Sequence, residues 1–327
     1  MGAWALAALA AGVVWAAPAA STVLTTHSVF GRDYVAVTDV MRVFDLKAQA
    51  LPARTYVLSS QHARVRFSLD SREAEVQGVK YWLNSPPALK GGVVWFPAMD
   101  VVKTLDPLLR RTGLAANGTV RTVVLDPGHG GEDQGAHSRG GLLEKQLVLD
   151  MTRRLGAMLE EQGYRVLLTR RDDRFVPLDS RSAFARANRA DLFISVHFNS
   201  ALPSTEPCGA ETYCLTPAGA RSTSDKSGVL KKNDYVPQSA NRFDNDNVML
   251  VHHVQQALVA RAGAAERGVK RARFEVLKDL DCPGALVECG FLSNPAEARR
   301  IAQASYRQQL AAAIASGIAG YRKSAGR

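Results

Sequence analysis

The sequence predicts an α/β protein: a three-layer αβα unit on a mostly parallel sheet, preceded by a small α+β module. Two observations carry this. From Arg121 onward, short runs rich in Val, Ile and Leu alternate with longer segments whose apolar residues recur at helical spacing. Strand–helix alternation builds a sheet covered on both faces, and strands buried on both faces read as continuous apolar runs. Before Arg121 the apolar residues instead alternate within short segments broken by turn residues, as in antiparallel strands.

Residues 1–20 read as an export signal. Ala3 to Ala17 is almost wholly apolar, and Ala17-Pro18-Ala19 offers a small-residue cleavage site, although no Lys or Arg precedes the run. That run is too short and too rich in Ala to favour a stable span. The expectation is an exported chain, periplasmic or cell-wall associated, with no stable membrane insertion after cleavage.

Residues 21–118 form the α+β accessory domain. GRDYVAVTDVMRVFDL (31–46) is echoed about 60 residues later by GGVVWFPAMDVVKTLDPL (91–108): a Gly turn, an aromatic-bearing strand, then a helix. Between them TYVLSS, ARVRFSLD, EAEVQG and VKYWLN alternate as strands. The repeated G-x-x-Y/W pattern over residues 28–110 resembles the copper amine oxidase N-terminal-like domain, a stalk-type module of exported bacterial proteins. The resemblance implies no copper, since His27 and His62 lack ligand spacing. RRTGLAANGT (110–119) reads as a linker.

The second unit, 119–327, is predicted strand by strand. TVVLD (122–126) ends at a Gly-rich loop, and 143–163 is a helix that Gly163 can cap. Strands follow at 164–170, 191–199, 209–216 and 285–291, with helices at 178–190, 247–263 and 305–323. Residues 217–244 break the rhythm with many Ser, Lys, Asn and Asp, and read as a long surface insertion beside the site.

The formal charge of +10 suits an acidic partner or simply a soluble basic surface. No nucleic-acid recognition motif accompanies it, so nucleic acid is not an expected partner. Cys208, Cys214, Cys282 and Cys289 have no C-x-x-C spacing, and sequence cannot choose among the possible disulfide pairings.

Four residues carry the chemistry: His129 in VVLDPGHGGEDQGA, Glu144 in GLLEKQLVLD, His197 in DLFISVHFNS and Glu288 in PGALVECGFLSNP. Two imidazoles and a carboxylate suffice for a catalytic Zn2+, and a second carboxylate can activate its water. They span about 160 residues, yet each falls at the carboxyl end of a predicted strand or at the helix leaving it, where open α/β sheets place their sites. Glu288 within an apolar run is costly unless paired or metal-bound. His137, in the Gly-rich loop, is the one competitor. His252 and His253 are adjacent on a helix and diverge by about 100°. The glycines at 128, 130 and 131 match no phosphate-loop pattern, and they let the backbone turn so that His129 can face a metal. Asp126 is placed to orient a histidine. Asn199 and Arg181 read as scaffold or substrate-orienting groups.

LDPGHGG, the Glu of GLLEK, LTR with LDSR and AN, DLFISVHFNS, GAETY, RGVKRARFEVL and LVECGFLSNP follow one another from about Arg121 to Tyr321. In this order they resemble the zinc-dependent N-acetylmuramoyl-L-alanine amidases of the amidase-3 type. The resemblance implies that His129, Glu144 and His197 are metal ligands and that Glu288 is the catalytic carboxylate. It further implies peptidoglycan as substrate, in cell-wall turnover or daughter-cell separation, with an activator protein as a possible partner. A zinc peptidase acting on cell-wall peptides would use the same atoms; a non-catalytic wall-binding protein would have lost a ligand or the base, and none is lost. Cell-division members of the family carry an inserted helix whose glutamate covers the zinc. Residues 217–244 contain no Glu, which leaves Asp225, Asp234, Asp244 or Asp246 as the available substitutes.

Overall fold

A computed structural model of the chain describes residues 24–110 and 120–325. The predicted export signal and most of the predicted linker lie outside the described residues. No helix among the described residues is long and apolar enough to cross a membrane.

The N-terminal part opens with β1 (His27–Val29), β2 (Arg32–Ala36) and α1 (Val37–Phe44). A meander follows: β3 (Lys47–Leu51), β4 (Thr55–Ser59), β5 (Arg64–Ser68), β6 (Glu73–Val76) and β7 (Val79–Trp82). It closes with β8 (Ala88–Lys90), β9 (Val93–Pro97), α2 (Ala98–Asp100), a π-helical turn at Val101–Leu105, and α3 (Asp106–Arg110). The sequence echo is thus two strand–helix units whose strands, β2 and β9, pair antiparallel. Alternation sets the core side: Val65 and Phe67 of β5 are buried while Arg64 and Arg66 are exposed.

The larger part contains β10 (Thr122–Pro127), α4 (Glu144–Glu161), β11 (Arg165–Leu168), α5 (Leu178–Ala187), β12 (Leu192–Asn199) and β13 (Ala210–Leu215). After the insertion come α6 (Asp244–Ala262), β14 (Glu266–Ala272), α7 (Glu275–Lys278), β15 (Gly284–Phe291), α8 (Pro295–Ala302) and α9 (Ala304–Ala325). Strands β11, β10, β12 and β15 are parallel neighbours; β13 runs antiparallel to β15, and β14 parallel to β13. Period-two alternation makes three layers. Val123, Leu125, Ile194, Val196 and Val287 join the core that includes residues of α4, α6 and α9, whereas Val124, Phe193 and Leu286 pack with residues of α5 and α7. Fully buried Leu155, Leu310, Ile314 and Ile318 each contribute about 1.5–3 kcal/mol relative to exposure.

Two charged segments differ from the sequence reading, which also places no helix where α7 and α8 lie. RGVKRA lies within β14, a strand that its cations obscure, and α6 begins at Asp244, where Asp244 and Asp246 complement the helix dipole. The position of the insertion is a larger correction. Because β13 is antiparallel to β15, the loop after it leaves from the edge of the sheet opposite the carboxyl ends of β10, β12 and β15. Residues 217–243 therefore do not sit beside the site. They pack on the N-terminal part instead: Arg32 donates to Gly228 O (2.9 Å), Arg72 to Thr223 O (3.3 Å), and Arg221 N to Asn84 Oδ1 (2.8 Å). The aspartates that could have covered a metal are engaged elsewhere, Asp225 with Arg221, Asp234 with Arg273, Asp244 with Lys103 and Asp246 with Tyr321. All four cysteines are free thiols.

The sheet continues from β14 into β7 through Val269 and Tyr81, making eleven strands in all. Across this seam Tyr81 OH and His252 Nδ1 lie 2.9 Å apart, and Arg271 donates to Thr104 Oγ1 at 2.9 Å. Burial, aided by the neighbouring His253, pushes the His252 pKa down to about 3. Below about pH 6.5 the unfolded chain takes up a proton that the folded state refuses, so stability falls with pH down to the folded value, by roughly 1.4 kcal/mol per unit. Urea unfolding at pH 7.5 and pH 5 should therefore show a loss in the wild type that is smaller by roughly 2 kcal/mol in His252→Gln. Identical losses in the two proteins would refute this linkage.

Candidate active site

The loop after β10 is built around buried guanidiniums. Arg170 donates to Pro127 O (3.0 Å) and Gly128 O (2.7 Å), and Arg181, on α5, donates to Pro127 O (2.9 Å) and His129 O (2.9 Å). Three consecutive carbonyls are thereby held, and His129 keeps a left-handed φ of 61° that few non-Gly residues adopt. Gly128 is required by space: a Cβ there would lie 2.2 Å from the His197 ring. Gly135 is required twice over, by its φ of +67° and by Glu144 Oε2, which would be 2.5 Å from a Cβ.

His129, Glu144 and His197 converge, each offering a donor atom within 4.8 Å of the others. His129 Nε2 is 3.1 Å from Glu144 Oε2, and His197 Nδ1 is 3.0 Å from Glu144 Oε1. The two rings are nearly perpendicular, at 82°, with centroids 5.0 Å apart. Each imidazole has an oxygen at its other nitrogen: Asp133 Oδ2 at 2.8 Å for His129, and Ser195 Oγ at 3.1 Å for His197. Such outer partners fix ring orientation and tautomer in metal sites. Glu144 is 2% exposed and accepts from Ala136 N and Phe198 N. Burial opposes its charge, but hydrogen bonds from His129 and His197 prevail and hold its pKa at about 2. An ionised carboxylate flanked by two imidazoles fits a divalent zinc-type cation.

Glu288 stands on β15 directly beside His197 in register. Its Oε2 is enclosed and meets no hydrogen-bond partner among the described residues. An orphaned buried oxygen is costly, and a water held between it and a cation would satisfy it. Burial, with repulsion from Glu144 and Glu211, pushes the Glu288 pKa well above the usual carboxylate range.

The remaining expected residues are placed as follows. Asp126 touches neither histidine directly: it accepts from Ser195 Oγ (2.8 Å), which in turn meets His197, and from Thr169 and Arg181. Arg181 holds the loop backbone. Asn199 donates to Glu211 Oε1 at 2.9 Å. His137 bridges to Leu143 in the loop and is not among the converging donors. The sequence reading missed Arg170 and Glu211, a 2% exposed carboxylate opposite Glu288 on β13. The available signal was Glu211's position inside an otherwise apolar strand.

A family model described as N-acetylmuramoyl-L-alanine amidase matches residues 123–320. AmiC of Neisseria meningitidis serogroup B, an N-acetylmuramoyl-L-alanine amidase, is 38% identical over 245 residues, covering 69% of this chain and 58% of that protein. AmiC of Escherichia coli O6:H1 is 36% identical over 218 residues, covering 61% and 52%. The chain thus spans a little over half the length of these relatives. The solved structure of AmiC2 of Nostoc punctiforme superposes with a TM-score of 0.52 at 32% identity, covering 63% of this chain and 99% of that one. With its matched region holding the converging histidines and carboxylates, the chain belongs to the N-acetylmuramoyl-L-alanine amidase family of the amidase-3 type.

Proposed function

We propose that this protein is an exported zinc-dependent amidase that hydrolyses the amide between N-acetylmuramic acid and the L-alanine of peptidoglycan stem peptides. The observation that carries the reading is the convergence of His129, Glu144 and His197 beside Glu288 at one edge of one sheet. Residues 120–325 act as the catalytic part and residues 24–110 as an accessory part.

His129, Glu144 and His197 would hold the zinc, and three protein ligands is the number typical of catalytic zinc. When bound, zinc lowers the pKa of water to about 7 and polarises an amide carbonyl. Glu288 takes the proton of the attacking water and delivers it to the departing amine nitrogen. Its raised proton affinity favours holding the proton between the two transfers. Asp133 and Ser195 keep the imidazoles aimed, and the Arg170–Arg181 clamp keeps His129 from relaxing out of its strained backbone conformation.

Hydrolysis of purified peptidoglycan should stop on chelation and return with Zn2+. Mass spectrometry of the products should show intact stem peptides with a free L-alanine amine. Cleavage within the stem peptide would instead establish a peptidase, and binding without hydrolysis a wall-binding protein.

A further inference from the structure

Beside Glu288 the sheet carries a second polar group that the hydrolytic steps do not use. Glu211 pairs with Glu288 across β13 and β15, and Tyr213 pairs with Lys270 across β13 and β14. With period-two alternation, Glu288, Glu211, Tyr213 and Lys270 share one face of the sheet. Glu211 is saturated: Oε1 accepts from Asn199 Nδ2 (2.9 Å) and Tyr213 OH (2.7 Å), and Oε2 from Arg267 Nε (2.7 Å) and Lys270 Nζ. Two cations thus share the one carboxylate that accepts their hydrogen bonds, while Glu288 feels Lys270 and Glu297 feels Arg267 only through longer-range attraction. The cations also keep unused donors: Arg267 Nη2 and the remaining N–H groups of Lys270 meet no acceptor among the described residues. Both reach solvent, Arg267 at 31% and Lys270 at 13% side-chain exposure, and both are steadied by rings: the Arg267 guanidinium lies 4.6 Å from the centroid of Phe291, and Lys270 Nζ 5.7 Å from that of Tyr213.

We propose that Arg267 and Lys270, oriented by Glu211, form a subsite for a free carboxylate on the second residue of the stem peptide. This rests on the amidase reading. The spacing supports it. Adjacent strands lie about 4.8 Å apart, so cations drawn from β14 toward Glu211 on β13 stand between one and two strand spacings, roughly 5–10 Å, from Glu288. An extended peptide advances about 3.3–3.6 Å per residue, which brings its second residue roughly 7 Å from the scissile amide. Stem peptides that differ only in a free or an amidated α-carboxyl at this second residue separate the two chemistries. A free carboxylate gains charge-assisted hydrogen bonds from both cations; a carboxamide does not.

The test uses two muropeptide tetrapeptides identical except for a free or amidated glutamate α-carboxyl, with the zinc-loaded full chain. The wild type should favour the free acid by about tenfold in kcat/KM, expressed through KM. In Lys270→Met and Arg267→Gln that preference should shrink toward one. Equal wild-type cleavage of both substrates at the muramoyl–alanine amide would overturn the subsite and leave the amidase reading intact. Cleavage of neither at that bond would remove both. A wild-type preference that persists undiminished in either folded variant would also overturn the subsite.

Discussion

Glu288→Gln should retain its zinc and lose about 10³-fold or more in hydrolysis, within the range that a positioned acid–base group supplies. The amide is nearly isosteric with the carboxyl it replaces, and Glu288 is not among the three converging donors, so metal content should match the wild type. His197→Ala should behave in the opposite way, losing metal because an imidazole donor is gone. Stability separates a missing base from a damaged fold. The pKa of Glu288 is raised by burial and by Glu144 and Glu211. A group with a raised folded pKa supports the fold below its unfolded value, near 4.3, and that support is lost as pH rises through the folded value. Burying Glu288 therefore costs the metal-free protein stability as pH rises above about 4.3, and Glu288→Gln should melt no lower than the wild type at neutral pH. A metal-loaded, stable and still active Glu288→Gln protein would remove Glu288 from the mechanism.

The residues legible in the sequence were those that contradict their surroundings. Glu288 interrupts an apolar run, and His197 lies within a buried strand. His129 follows a turn too rich in glycine for an ordinary loop, and Gly128 and Gly135 proved to be demanded by contacts with His197 and Glu144. What stayed hidden depends on pairing between distant segments. RGVKRA receives no strand in the sequence reading, and only the fold sets Glu211 of β13 against Arg267 and Lys270, and Thr104 of the N-terminal part against Arg271. Arg170 looks like a surface residue until the carbonyls of Pro127 and Gly128 are seen around it. Strand direction is equally silent: β13 reads the same whether parallel or antiparallel to β15, yet that choice sends residues 217–243 to the far edge of the sheet. The prediction of a loop beside the site failed for this reason.

Arg181→Met should destabilise the protein by about 3–5 kcal/mol, because it strips a buried carboxylate of its cation. Asp126 is 0% exposed and Arg181 2%, and they meet at 2.8 Å. By contrast Arg42 and Asp39 form a largely exposed pair, of a kind worth only about 0–1 kcal/mol. Two hydroxyl donors, Thr169 and Ser195, would remain on Asp126 but cannot neutralise it. The carbonyls of Pro127 and His129 would also lose a donor, leaving only Arg170 and the surrounding packing to hold the strained turn. Urea unfolding measures the first effect and zinc affinity the second. A loss below about 1 kcal/mol would show that Asp126 does not need the pair. Adding Asp126→Asn to Arg181→Met separates the two roles: it removes the stranded charge and should recover part of the stability, while the freed carbonyls keep zinc binding weak. Recovery of both together would place the role of Arg181 in the ion pair alone rather than in the backbone it holds.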